Sequence, residues 1–135
     1  MINPSPENLY NDGQFLFYDH EHVADKSTFL IIGQARAGTT MLSLLLKEMN
    51  IFIGEFIGPV HEDNEFQEFV DDLNQKCVSQ KFLSLIKKRN LSCDKWAWKR
   101  PDIFKYLNHI IPHLRNPRII CIFRDPVTIA SRNII

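Results

Sequence analysis

Three short runs of mostly apolar residues recur along the chain, and each is followed by a basic or glycine-bearing segment. They are residues 28–32, 96–99 and 118–123. A short continuous apolar run, rich in β-branched residues, is typical of a strand buried on both faces of a parallel sheet. The sequence therefore predicts three strands of this kind.

Between and after these runs, apolar residues recur at the spacing of amphipathic helices. Such helices are predicted over residues 40–49, from Asn64 as N-cap, over residues 79–88, from Pro101 to Pro112, and over residues 127–132. The alternation predicts an α/β fold, a parallel sheet with helices on both faces, within residues 28–135. Residues 1–27 form a preceding N-terminal segment. The basic residues at the end of the helix over residues 79–88, Lys87 to Arg89, are expected to be exposed to solvent.

Composition narrows the class of protein. The 135 residues are 44% hydrophobic and 24% charged, with 16 basic and 16 acidic side chains, so the formal net charge is zero. This is ordinary globular composition, and it argues against nucleic acid as a partner. No apolar run approaches the roughly 20 residues of a membrane helix. With no secretory signal and three cysteines that lack metal-ligand spacing, we expect a cytoplasmic protein without a metal site.

The segment after the first strand has the glycine spacing of a phosphate-binding loop. Gly33 and Gly38 enclose four residues between a predicted strand and a predicted helix. The loop amides and the helix N-terminus attract an oxyanion, and Thr39 and Thr40 can add hydroxyl groups. Thr39 stands where P-loop NTPases carry lysine, and the cation is Arg36 inside the loop. Transfer of a γ-phosphate is therefore disfavoured.

Cations follow the other two predicted strands as well. Lys99 and Arg100 end the second strand, and Arg124 follows the third. Ligands of open parallel sheets bind beyond the carboxyl ends of the strands. The sequence thus predicts a local anion site at that edge.

Four segments, in this order, resemble the sulfotransferases that use 3′-phosphoadenosine 5′-phosphosulfate (PAPS), in particular the bacterial and carbohydrate-type members. Residues 34–40, QARAGTT, resemble the 5′-phosphosulfate loop, and residues 122–133, IFRDPVTIASRN, resemble the 3′-phosphate motif. Residues 54–66, GEFIGPVHEDNEF, and residues 96–101, WAWKRP, are similar to the segments between them. The resemblance implies a sulfotransferase-like P-loop fold, and we expect the chain to be its N-terminal part, truncated at the C-terminal end.

The resemblance also implies an activity: metal-independent transfer of a sulfonate group from PAPS to a hydroxyl or amine acceptor, with carbohydrate as one acceptor class. Lys99 would neutralise the leaving bridging oxygen. The family's histidine base has no counterpart, because Pro101 stands at its position, so Glu62 or Glu65 of the acidic stretch near the first loop is the candidate proton acceptor. Either Ser131 or Arg132 would join Arg124 at the 3′-phosphate. The residues implied in nucleotide binding are Gly33, Arg36, Ala37, Gly38, Thr39, Thr40, Arg124, Ser131 and Arg132.

Two other functions stay open at this point. A truncated chain could bind PAPS or its product nucleotide without catalysing transfer. A P-loop nucleotide kinase would share the strand, loop and helix but would need the missing lysine. The apolar surface of an incomplete fold also predicts self-association or pairing with a complementing segment.

Overall fold

The computed structural model describes residues 25–55, 57–69 and 78–131. In chain order the elements are β1 (Ser27–Gly33), α1 (Thr39–Glu48), α2 (Asn64–Gln67), α3 (Gln80–Ser92), β2 (Lys95–Lys99), α4 (Leu107–Ile110), β3 (Pro117–Ile122) and α5 (Pro126–Ser131). Short 3₁₀ helices, Ile103–Tyr106 and Ile111–His113, flank α4. No helix within these ranges has the length and apolar content needed to cross a bilayer. Most of the predicted N-terminal segment, and Arg132, lie outside the described residues.

The strands form a parallel three-stranded sheet in the order β2-β1-β3. At the middle of the sheet, Leu30 of β1 lies opposite Trp98 of β2 and Ile119 of β3. The three strands and the parallel α/β arrangement predicted from the sequence are confirmed. Because β1 is central, the loop that follows it lies between the carboxyl ends of both neighbours.

Alternate residues of the strands belong to two hydrophobic clusters, one on each face of the sheet. Leu30 and Trp98 belong to the cluster that also contains residues of α3 and α4. Ile31 and Ala97 belong to the other cluster, with Leu46 of α1. This division follows from the period of two along a strand, and it puts helices on both faces. In the first cluster the Phe66 ring stacks on Trp98, with 4.3 Å between ring centroids, and it also stacks on Trp96.

The helix predicted from Pro101 to Pro112 is broken into the two 3₁₀ helices and α4. At its start, the Pro101 carbonyl accepts a hydrogen bond from the Gly33 amide at 3.2 Å, so this backbone continues along β1. At its end, Pro112 has no N–H to donate, and its ring disfavours an α-helical conformation in the turn that precedes it. Only Leu107–Ile110 is α-helical as a result.

The boundaries of two other helices also differ from prediction. The N-cap of α2 is Asp63, whose carboxylate accepts the Glu65 amide at 2.9 Å, rather than Asn64. The helix α3 begins after the Ser79 cap but continues to Ser92. Arg115 donates to the carbonyls of Asn90 and Cys93, both at 2.7 Å, which satisfies acceptors at the end of α3.

Candidate functional site

The loop between β1 and α1 curls sharply on backbone conformations that favour glycine. Gly38 has φ 113°, and Arg36 lies in the left-handed region with φ 67°. The turn is closed by a hydrogen bond from the Ala37 amide to the Gln34 carbonyl at 3.1 Å. Gly38 is the N-cap of α1 and supplies no side-chain acceptor, and the first turn of α1 carries no acidic residue. The positive end of α1 is therefore uncompensated by a side chain of the helix or its cap.

The two threonines that follow the loop have different surroundings. Thr39 is buried, and its carbonyl accepts the Ser43 hydroxyl at 3.1 Å. Thr40 is half-buried and donates its hydroxyl to the Val60 carbonyl at 3.3 Å. The start of α1 is thus joined to the loop at residues 57–63.

Lys99, at the end of β2, meets the same carbonyl. Its ammonium donates to Val60 O at 2.6 Å and lies 3.3 Å from Glu62 Oε1. The Lys99 side chain is only 5% exposed. Val60 O therefore links the end of β2 to the start of α1, where the sequence predicted a common site.

Arg100 is neutralised by its neighbours. Its guanidinium donates to Asp102 Oδ1 and to Gln67 Oε1, both at 2.7 Å, and lies 3.8 Å from Glu62. Burial alone would raise the pKa of Asp102, but the hydrogen bond and charge of Arg100 outweigh it and lower the pKa. Arg100 is consequently not a free cation for a ligand.

The two candidate proton acceptors belong to different groups of charges. Glu62 contacts Lys99 and Arg100. Glu65 contacts Arg89, and it lies 3.4 Å from Lys88. Of the two, Glu62 is the one that touches Lys99.

The expectation that Arg89 is exposed is wrong. Its side chain is 2% exposed, and its guanidinium donates to Asp63 Oδ2 at 2.9 Å and lies 4.6 Å from the centre of the Phe52 ring. The helical spacing carried the signal, because Phe82, Ile86 and Arg89 share the buried face of α3.

Asp63 is buried as deeply as its partner. Burial raises the pKa of its carboxyl above the ordinary value of 3.8, although the Arg89 guanidinium acts in the opposite direction. The negative charge of Glu65, which shares the Arg89 guanidinium with Asp63, adds a smaller rise to that of burial.

At the end of β3, Arg124 is half-buried and has neither a hydrogen bond nor an ion pair with any described residue. The adjacent Asp125 caps α5 instead, accepting the amides of Val127 and Thr128 at 3.2 Å and the Thr128 hydroxyl at 2.8 Å. Ser131 donates its hydroxyl to the Thr128 carbonyl at 3.0 Å. Arg132, the alternative to Ser131, lies outside the described residues.

The contribution of the Asp125 cap to the stability of α5 is expected to depend on pH. Hydrogen bonds from the Thr128 hydroxyl and from the Val127 and Thr128 amides lower the pKa of Asp125. Its capping contribution is therefore expected above the ordinary value of 3.8 and should be lost as the pH falls through the lowered pKa. A carboxyl-carbon NMR titration should show a higher midpoint for Thr128→Val than for the wild type. An unchanged midpoint would mean that the amides alone set the pKa.

These groups share one edge of the sheet. Gly33 pairs with Ile122 of β3, and a Cβ on Gly38 would lie 3.3 Å from the Ile122 side chain, so the loop contacts β3 directly. Lys99 and Arg124 stand at the carboxyl ends of the two outer strands. Arg36 is exposed and, like Arg124, has no hydrogen bond or ion pair among the described residues. The arrangement suits a ligand with separated anionic groups.

Two further observations bear on the ligand. An open surface pocket of about 420 Å³ lies at the opposite edge, near the amino end of β2, and its described lining includes no predicted site residue. Within residues 25–55, 57–69 and 78–131, no group of three or more His, Cys, Asp or Glu side chains is arranged to hold a metal ion.

Comparison with known proteins adds no assignment: no protein-family model, curated protein or solved structure matches this chain.

Proposed function

We propose that this chain binds PAPS at the carboxyl edge of its sheet and transfers the sulfonate group to a hydroxyl or amine acceptor. One observation carries the proposal. The curled loop before α1, the buried Lys99 and Arg124, which has no hydrogen bond or ion pair among the described residues, lie at the ends of three adjacent parallel strands. PAPS carries two separate anionic groups, a 5′-phosphosulfate and a 3′-phosphate, and this edge offers two separate groups of donors.

The loop side would bind the 5′-phosphosulfate. The N–H groups at the uncapped start of α1 and the Arg36 guanidinium are donors for its oxygens. The Thr40 hydroxyl can join them by exchanging the Val60 carbonyl for a ligand oxygen. On the β3 side, the planar fork of Arg124 suits a phosphate bidentately. The Ser131 hydroxyl, which donates to the Thr128 carbonyl, would turn from that acceptor to donate to the phosphate. Only a nucleotide with a 3′-phosphate engages both sides.

The chemical step is an in-line displacement at sulfur. The acceptor oxygen or nitrogen forms a bond to sulfur while the bond from sulfur to the bridging phosphate oxygen breaks. Lys99 neutralises the charge that develops on this leaving oxygen, and the acceptor's proton passes to the Glu62 carboxylate. Glu62 and Lys99 are 3.3 Å apart. A move of Lys99 toward the leaving oxygen therefore frees the carboxylate that must act as the base.

The first test is thermal unfolding with the product nucleotide, 3′-phosphoadenosine 5′-phosphate. A ligand that binds only the folded chain at about a hundred times Kd should add about 2.7 kcal/mol to the free energy of unfolding. Arg124→Ala removes a charge-assisted contact of about 1.5–3 kcal/mol and should abolish about half of this gain or more. Arg118→Ala is the matched control, because Arg118 lies on the same strand near its amino end.

The outcomes separate the candidate functions. Stabilisation that is lost in Arg124→Ala and kept in Arg118→Ala supports the nucleotide site, and radiolabelled sulfonate transfer then supports the enzyme. Stabilisation without transfer supports a binding module. Equal stabilisation by ATP and magnesium favours a kinase. A folded chain that no nucleotide stabilises contradicts the proposal.

A further inference from the structure

The residues that hold Lys99 belong to a small closed loop, residues 57–63. Ile57 and Asp63 form an antiparallel bridge across its ends. Inside it, the Gly58 amide donates to the Glu62 carbonyl at 3.1 Å, and the His61 amide donates to the Gly58 carbonyl at 2.9 Å. His61 takes a left-handed conformation with φ 56°, which tightens the turn. The loop therefore presents the Val60 carbonyl and the Glu62 carboxylate from a fixed frame.

The frame is attached to α3 through Asp63. One carboxylate oxygen accepts the Glu65 amide at 2.9 Å, and the other accepts from Arg89 Nη2 at 2.9 Å. Both side chains of the ion pair are 2% exposed. Gly54 leaves room for the Asp63 carboxyl group, because a Cβ at this position would lie 2.7 Å from Asp63 Cγ.

The loop is thus held from two sides. On one side it contacts the site residues themselves, Thr40 and Lys99. On the other side it contacts Arg89, which the Phe52 ring covers. Buried ion pairs often add little net stability compared with apolar side chains of the same volume, and in some proteins their role is to fix orientation. Orientation of this loop matters because it sets where the Lys99 ammonium is held.

We propose that Arg89 is a positioning residue: through Asp63 it fixes the loop at residues 57–63, so that Val60 O and Glu62 hold the Lys99 ammonium at the end of β2. The catalytic meaning of this position rests on the proposed function. The position itself does not depend on a nucleotide, and it can be measured without one.

The test is competitive acetylation of the folded chain with a trace of acetic anhydride, read at each lysine by mass spectrometry. Asp63→Asn removes the charge that Arg89 binds, while asparagine remains a good N-cap for α2 and Glu65 still faces Arg89. Lys99 acetylation, measured relative to Lys47 on α1, is expected to rise about tenfold as the loop opens locally. Amide exchange of β1 should stay slow.

Two further variants serve as positive and negative controls for the Lys99 acetylation measurement. Glu62→Gln breaks the direct contact with Lys99 and should raise its acetylation on its own. Glu55→Gln removes a neighbouring carboxylate whose partner is Lys88, and it should leave Lys99 unchanged. If Asp63→Asn does not fold, Arg89→Lys keeps the charge but loses the planar fork, and an intermediate rise is expected from it.

The proposal is overturned if Lys99 acetylation stays at the wild-type value in Asp63→Asn and Arg89→Lys while it rises in Glu62→Gln. It is equally overturned if all lysines become more reactive together, because Arg89 would then act only on overall stability. Thermal unfolding with 3′-phosphoadenosine 5′-phosphate on the same samples separates the two proposals. Stabilisation with an unresponsive Lys99 defeats this inference alone, and a responsive Lys99 without stabilisation defeats the proposed function alone.

Discussion

Gly33→Ala is expected to lower the free energy of unfolding by about 2–5 kcal/mol, from backbone strain together with overpacking. Gly33 has φ 151°, and a Cβ there would lie 2.4 Å from the Ile122 carbonyl oxygen and 2.9 Å from Ile122 Cγ2. The carbonyl is backbone of the paired strand β3, so it cannot turn away as a flexible side chain could. Relief requires that β1 and β3 separate at the edge where the candidate site lies.

Gly58→Ala provides the matched control. The nearest atoms to a Cβ at Gly58 all belong to the Asn64 side chain, with its oxygen at 3.2 Å, and no left-handed backbone angle is required. Urea unfolding followed by circular dichroism should show a loss below about 1 kcal/mol for this variant. A similarly small loss for Gly33→Ala would contradict the close approach of the loop to β3.

Arg89→Met is expected to cost about 3–5 kcal/mol, because it leaves the Asp63 carboxylate buried without its cation. Methionine fills much of the same volume, so the loss reports charge rather than a cavity. The double variant Asp63→Asn with Arg89→Met removes both charges and should recover most of the stability. Equal losses in the single and double variants would show that packing around Phe52, and not the ion pair, carries the effect.

The sign of the pH dependence follows from Asp63. Its pKa is raised by burial, so its contribution to stability is present below the ordinary value of 3.8 and is lost as the pH rises through the raised pKa. Arg89 opposes this rise, and its removal should push the pKa higher still. The cost of Arg89→Met should therefore be smaller at about pH 4 than at about pH 7. A cost that grows on acidification would contradict the assignment.

Local sequence was sufficient for the sheet. Continuous apolar runs identified β1, β2 and β3, because strands buried on both faces need apolar side chains at every position. The helix predicted after Pro101 failed for two reasons. The first is a long-range contact, because the Pro101 carbonyl accepts the Gly33 amide of β1. The second is local, because Pro112 has no backbone N–H to donate to a helical hydrogen bond.

The location of the candidate site could be predicted from the topology of the sheet. Parallel strands end at a common edge, so the loop after β1, Lys99 and Arg124 were expected together. Side-chain partners were not predictable in the same way. Asp125 turns to the amides of α5, which leaves Arg124 without an ion pair among the described residues, and neighbours in sequence do not reveal that choice. The burial of Arg89 likewise depends on Asp63, far away along the chain.

The uneven distribution of tryptophan between the two hydrophobic clusters has a spectroscopic consequence. The chain has 2 tryptophans, Trp96 and Trp98, and both lie on the face of the sheet that α3 covers, stacked with Phe66. Their fluorescence therefore reports on the packing of that face and does not report on the face that α1 covers. Coincident fluorescence and circular dichroism transitions would mean that the two faces unfold as one cooperative unit. An earlier dichroism transition would reveal that α1, which begins the candidate site, detaches while the indole emission still looks native.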